Sequence, residues 1–286
     1  MKTSCLILRI SLSAALAGLT FHATPSAAQI LGSSGSYGVL GSQTVTNTGN
    51  TVIMGDLGVT PGTAVTGFTA IDGGPGLITG SFNQANAAAA QARADFSAAS
   101  VTLANLSFTA DLSGQDLGGL TLTPGVYHFT SAAQLTGALT LNALGDANAR
   151  FVFQIGSTLT TASNSLVNFI NLSDSADCGP DNGLYWQVGS SATIGSNSAF
   201  AGNLLALTSV TLNNGASIID GRAFAQNGAV TLDNNRIDAR NLDGGFCQPG
   251  SAVLTPVPEM GAYGLAGSGM LLIALWRRRR ARLTHA

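Results

Sequence analysis

The chain has 286 residues and a formal net charge of -2, with 45% hydrophobic residues, only 9% charged residues and 36 glycines. Low charge with high hydrophobicity excludes a disordered chain, and the glycines lack the every-third spacing of collagen. From Gln29 to Thr255 there are five arginines, thirteen aspartates, no lysine and no glutamate, a balance of -8 that argues against nucleic acid as a partner.

Residues 1–28 read as a secretory signal peptide. Lys2 and Arg9 supply the positive region, Ile10 to Phe21 most of the apolar run, and Ser26-Ala27-Ala28 the small residues before a cut at Gln29. The body follows over 29–246. Leu31 to Thr79 is rich in Gly, Thr and Val, with turn signals at Asn47-Thr48-Gly49-Asn50, Thr60-Pro61-Gly62 and Asp72-Gly73-Gly74-Pro75. Short strands are expected at Val39-Leu40, Thr44 to Thr46, Val52 to Met54 and Val65 to Gly67, as capping coils of the same unit.

The alanine-rich stretch from Phe82 to Asn105 breaks this pattern. Alanine is the best helix former, so one helix is predicted over about 83–103. Ser81 and Gln84 match a capping box. Phe96 and the alanine stripe would lie against the body, with Arg93 and Asp95 facing water. Strands resume in Leu117 to Phe129. Phe151 to Ser157 and Leu184 to Ser190 are alike in sequence and suit a buried face beneath that helix.

A repeat runs through the second half. Ala192-Thr193-Ile194, Val210-Thr211-Leu212 and Val230-Thr231-Leu232 place threonines 18 and 20 residues apart. Leu159-Thr160-Thr161 and Leu139-Thr140-Leu141 extend the series backwards, 20 residues from each other. The step from Thr160 to Thr193 is 33, with Asp174 to Gly183 read as an inserted loop. A period near 20 in short strands and Gly/Asn/Ser turns is the mark of a β-solenoid.

Side chains alternate along a strand. With the apolar residues inward, the outward set is Thr140, Asn142, Thr158, Thr160, Ser191, Thr193, Ser209, Thr211, Asn213 and Thr231. Stacked coils would hold these about 4.8 Å apart up the solenoid and about 6.7 Å apart along each strand, a flat grid of methyls and hydroxyls. Threonine also favours strands on its own account, so the repeat by itself does not make the grid a binding face.

Catalytic chemistry is thin. His128 is the only histidine of the body, no Glu is available to pair with Asp, and no GxSxG elbow, Walker loop or HExxH is present. The chain reads as no enzyme, with no cofactor and no metal. Cys178 and Cys247 are the two cysteines left after signal removal, compatible with one disulfide in an exported protein.

Residues 247–255 are a linker. Then come Val257, Pro258 and Glu259, an apolar run from Gly261 to Trp276, and Arg277, Arg278, Arg279 and Arg280 followed by Arg282. At 16 residues the run is short for a span, which needs about 20. The arrangement over 256–282 resembles the PEP-CTERM sorting signal of Gram-negative bacteria, with Met260 where the family usually has Pro. The resemblance implies transient inner-membrane insertion, processing by an exosortase, and a secreted or cell-surface protein.

The body also resembles a family. Leu31-Gly32-Ser33, Tyr37 to Leu40, Val45 to Gly49, Gly55 to Gly62, the alanine-rich helix, Leu120 to Tyr127, Phe151 to Ser157 and Asn227 to Asn234 look like the bacterial and fungal ice-binding domain labelled DUF3494. The likeness covers roughly Ile30 to Asp238. It implies an all-β, discontinuous right-handed β-solenoid with a long helix alongside, and adsorption to an ice crystal surface through a flat face. Some members carry a Thr-Ala/Gly-x-Thr/Asn motif, which Thr161-Ala162-Ser163-Asn164 fits here. Two other readings stay open. One is a non-catalytic adhesion protein of the cell surface or exopolysaccharide matrix; the other is a polysaccharide lyase or hydrolase on a β-helix, which would need clustered Asp with a basic partner.

Overall fold

The computed structural model describes residues 30–173 and 183–240. The signal segment, Cys178, Cys247, the linker and the sorting segment lie outside the described residues.

Every paired strand runs parallel to its neighbour, as coils stacked in a solenoid require. Three strand-bearing faces enclose the core. The first is a separate seven-stranded sheet in the order Ala133–Leu135, Leu159–Thr161, Ala192–Ile194, Val210–Leu212, Val230–Asp233, Thr44–Thr48, Ala64–Thr66. The second runs from Ala110–Asp111 through Gly125–Phe129, Arg150–Ile155 and Gly183–Val188 to Tyr37–Gly41, Asp56–Val59 and Phe82–Gln84. The third runs from Thr121–Leu122 through Ala138–Asn142 and Leu166–Ile170 to Arg236–Asp238, Val52–Met54 and Leu77–Ile78. The long strands Ala199–Ala206 and Ser217–Ala225 belong to both the second and third faces. They turn the corner where the register shifts, beside Gly202 at φ 89° and Asp220 at φ 47°.

Stacking order differs from chain order. The first sheet reaches Val230–Asp233 and then continues with Thr44–Thr48 from the start of the body. The expected N-terminal capping coils therefore exist, and they close on the C-terminal coil. The look-alike segments Phe151 to Ser157 and Leu184 to Ser190 are stacked neighbours, with Phe151 opposite Leu184 and Ile155 opposite Val188. Inside, Tyr127, Phe153, Trp186 and Phe200 form an aromatic stack with centroids 5.4, 4.1 and 4.9 Å apart. Trp186 Nε1 donates to the Ala201 carbonyl at 2.9 Å, so the indole is buried without an unmet donor.

The helix is Ala87–Ala104, starting four residues later than the predicted 83. The capping box at Ser81 and Gln84 does not form, because Phe82–Gln84 is an edge strand paired with Leu57 to Val59. Asn86 caps instead, its side chain accepting from the Ala89 amide at 2.9 Å. Ala92, Phe96, Ala99 and Leu103 pack on Leu40, Val126, Val152, Tyr185, Leu205 and Phe224 of the second face. Burying Phe96 alone stabilises this contact by about 2–3 kcal/mol. Gln154 closes the far end, its amide donating to the Leu103 and Leu106 carbonyls at 2.8 Å each.

Arg93 and Asp95 do not simply face water. Arg93 donates to the Gln226 carbonyl at 2.8 Å, and Asp95 accepts from the Ser33 hydroxyl at 2.6 Å and amide at 2.8 Å. These hydrogen bonds from Ser33 hold the Asp95 carboxyl below its ordinary range. Both side chains lie at the margins of the helix, where a polar group can reach the backbone of the solenoid.

Candidate threonine face

In the first sheet, alternation separates core from solvent. Ala133 and Leu135, Leu159 and Thr161, Ala192 and Ile194, Val210 and Leu212, Val230 and Leu232, and Val45 and Asn47 are buried. The residue between each pair points outward. Register places Gln134, Thr160, Thr193, Thr211, Thr231, Thr46 and Thr66 in one column. All seven are exposed or half-buried. Six successive threonines, on six of the seven strands, make a ladder roughly 24 Å long from end to end at the usual strand spacing.

A second column lies two residues before the first: Ala132, Thr158, Ser191, Ser209, Ala229, Thr44 and Ala64. A third lies two residues after it: Thr136, Ala162, Gly195, Asn213, Asp233 and Thr48. The first two columns carry no charged side chain, and the third carries one, Asp233. The helix packs against the second face, so nothing in it covers the threonines.

The turn after this sheet fixes where each strand ends and ties it to the next coil. Gly137, Asn164, Asn197, Gly215, Asn234 and Gly49 all have positive φ, between 53° and 97°. Asparagine and glycine are the residues that adopt this conformation at least cost. The amides of Asn164, Asn197 and Gly215 each donate to a carbonyl of the adjoining coil, at Ser196, Asn214 and Asp233. Beneath them, buried side chains satisfy the turn carbonyls. Ser165 Oγ donates to Leu135 and Ala162 at 2.9 and 2.8 Å, Ser198 Oγ to Ala162 at 2.9 Å, and Asn235 to Asn213 and Ala216 at 2.9 and 3.0 Å. A face tied in this way has little freedom to lose on binding. At the terminal coil Asp116 accepts from the Gly118 and Thr136 amides at 2.7 and 2.9 Å. Burial works against its charge, and these hydrogen bonds outweigh it and hold the carboxyl low.

Of the expected grid, Thr158, Thr160, Ser191, Thr193, Ser209, Thr211, Asn213 and Thr231 lie on this sheet. Thr140 and Asn142 do not. They sit on Ala138–Asn142 of the third face, with Thr140 opposite Thr121 and Asn168. The 20-residue step from Thr140 to Thr160 is a coincidence of spacing; the true partner of Thr160 is Gln134. Thr161, the first residue of the Thr-Ala-Ser-Asn match, is buried and accepts from the Gly195 amide at 2.8 Å. Thr44, Thr46 and Thr66 were missed as face residues. The step of 20 between Thr46 and Thr66, each after a valine, was the available signal.

His128 lies on the second face, stacked on Phe108 at 4.9 Å and 3.7 Å from Asp111. Among the described residues there is no group of three or more His, Cys, Asp or Glu placed to hold a metal ion.

The sequence and fold match known proteins. The family described as Ice-binding-like matches residues 39–238. An ice-binding protein of Nostoc sp. (strain HG1) is 46% identical over 265 residues, covering 92% of each chain. The crystal structure of an ice-binding protein from the Antarctic ascomycete Antarctomyces psychrotrophicus aligns with a TM-score of 0.65 at 40% identity, over 73% of this chain and 97% of that one. One from an Antarctic biological consortium aligns with a TM-score of 0.65 at 35% identity, over 82% and 96%.

Proposed function

Because this chain belongs to the ice-binding-like family, we propose that it binds ice, and that it does so through the threonine sheet. The single observation that carries the choice of surface is the register: six threonines in one exposed, uncharged column on a rigid sheet. Each threonine presents a methyl, around which water orders, and a hydroxyl, which anchors that water. Repetition at strand spacing extends the ordered layer into a plane that can merge with a crystal surface. The process is adsorption; it makes and breaks no covalent bond and needs no cofactor.

The proposal includes export. Its support is the charged and apolar pattern of residues 1–28, and the Pro258-Glu259 motif, apolar run and Arg277 to Arg280 cluster of the tail. On that reading an exosortase processes the tail, and the domain ends secreted or at the cell surface, where exopolysaccharide is a second candidate contact.

Slow growth of ice from a solution of the mature protein tests the function. Partition into the solid is expected for wild type, and exclusion would sink the reading. Thr211→Tyr should shift the protein to the liquid fraction with an unchanged circular dichroism spectrum. Retained partition in that variant would move the contact to another surface.

A further inference from the structure

The threonine sheet carries a single charged side chain. Asp233 follows Thr231 by two residues on the same strand and is paired with Thr48 of the adjoining coil. Its other neighbours along the third column, Asn213, Gly195, Ala162 and Thr136, are neutral. Asp233 is half-buried, and its backbone is held on both sides. The amide donates to Asn235 Oδ1 at 2.6 Å, and the carbonyl accepts from the Gly215 amide at 3.2 Å. The next residue, Asn234, has φ 53°, which fixes where the strand ends. The carboxylate lies against Gly49, where a β-carbon would come within 3.2 Å of Oδ1. Among the described residues it makes no hydrogen bond or ion pair, so its charge is met by solvent.

We infer that Asp233 limits adsorption: it confines ice contact to the first two columns and weakens binding along the third. This rests on the proposal that the threonine sheet is the ice-contacting surface. A carboxylate is costly to strip of water. Its hydration shell turns hydrogens toward the two oxygens, an arrangement that the tetrahedral ice lattice does not accept. The threonines two residues away impose no such orientation. The carboxylate therefore keeps a patch of liquid-like water at the margin of an otherwise ice-compatible plane. Gly49 at its back and the fixed turn after it keep the group from swinging clear.

The test compares thermal hysteresis and ice partition of Asp233→Asn, Asp233→Thr and wild type at equal concentration. Asp233→Asn keeps the shape of the side chain, and Asp233→Thr copies the aligned Thr48. Asp146→Asn, on an exposed turn of the third face, controls for net charge. Higher hysteresis in both Asp233 variants with Asp146→Asn unchanged is the expected result. Equal or lower hysteresis in folded Asp233 variants overturns the inference, and so does an equal rise in Asp146→Asn. Wild type that is itself excluded from ice removes the underlying reading together with this one, and is distinguished by that measurement alone.

Discussion

Thr46 and Thr231 stand opposite each other in register, across the seam where the first coil of the chain closes on the last. The ladder is continuous only because of that pairing: Thr46 and Thr66 prolong a column that chain order alone would end at Thr231.

Substitution on either side of the seam should then act alike. Thr46→Tyr and Thr211→Tyr each put a bulky ring on the plane and should remove most of the thermal hysteresis. Thr140→Tyr, on the third face, should leave it near wild type. Nanolitre osmometry on the three variants checks this, and loss of activity in Thr140→Tyr alone would reverse the assignment of the face.

Arg222 is fully buried, its guanidinium donating to the Gly35 carbonyl, to Asn203 Oδ1 at 2.7 Å and to the Ala239 carbonyl at 3.3 Å. It joins the start of the body to its last coil. Arg222→Met leaves those acceptors without donors and should cost about 3–5 kcal/mol. Urea unfolding measures it; a loss below about 1 kcal/mol would mean that the three contacts are replaced.

Asp220 sits at the corner between the second and third faces. Burial pushes its carboxyl up to about 6, Asp238 adds to the rise, and Arg222 and Arg240 oppose it. The folded state therefore holds this proton more tightly than the unfolded chain does. That stabilisation is complete below about pH 4 and is lost as pH rises through about 6, a drop of about 3 kcal/mol if Asp220 acted alone. Asp220→Asn should flatten melting temperature between pH 4.5 and 7.5 and exceed wild type at the upper end. Asparagine also tolerates the φ of 47° found there. An unchanged pH profile would show that the corner stays hydrated.

Phe96 is fully buried in the helix, tilted against Phe224 with centroids 5.2 Å apart. Phe96→Ala should destabilise by about 3–5 kcal/mol. Ice partition of the protein that remains folded should be unchanged, because the helix packs on a different face from the threonines. A loss of partition in folded protein would couple the two faces.

Much was legible in local pattern. The alternation around Thr160, Thr193, Thr211 and Thr231 reports which side chains point outward, and the alanine run reports the helix, because both signals are complete within a few residues. The twin segments at Phe151 and Leu184 disclosed a shared face, since stacked coils meet the same neighbours. Boundaries were weaker. Phe82 to Gln84 carries no strand signal of its own and is drawn into one by Leu57 to Val59.

The order of residues therefore determined, unaided, a low-charge solenoid of short strands, its helix, and the threonine-bearing coils near its C-terminus. Only the tertiary structure decided that Gln134 and not Thr140 stands beside Thr160, that Thr46 and Thr66 complete the column, and that Arg93 and Asp95 fasten the helix. Those facts depend on which coil lies on which, and parallel pairing is settled by hydrogen bonds and packing between residues far apart in the chain. A repeat of nearly constant length makes a wrong partner look right until the stacking is seen.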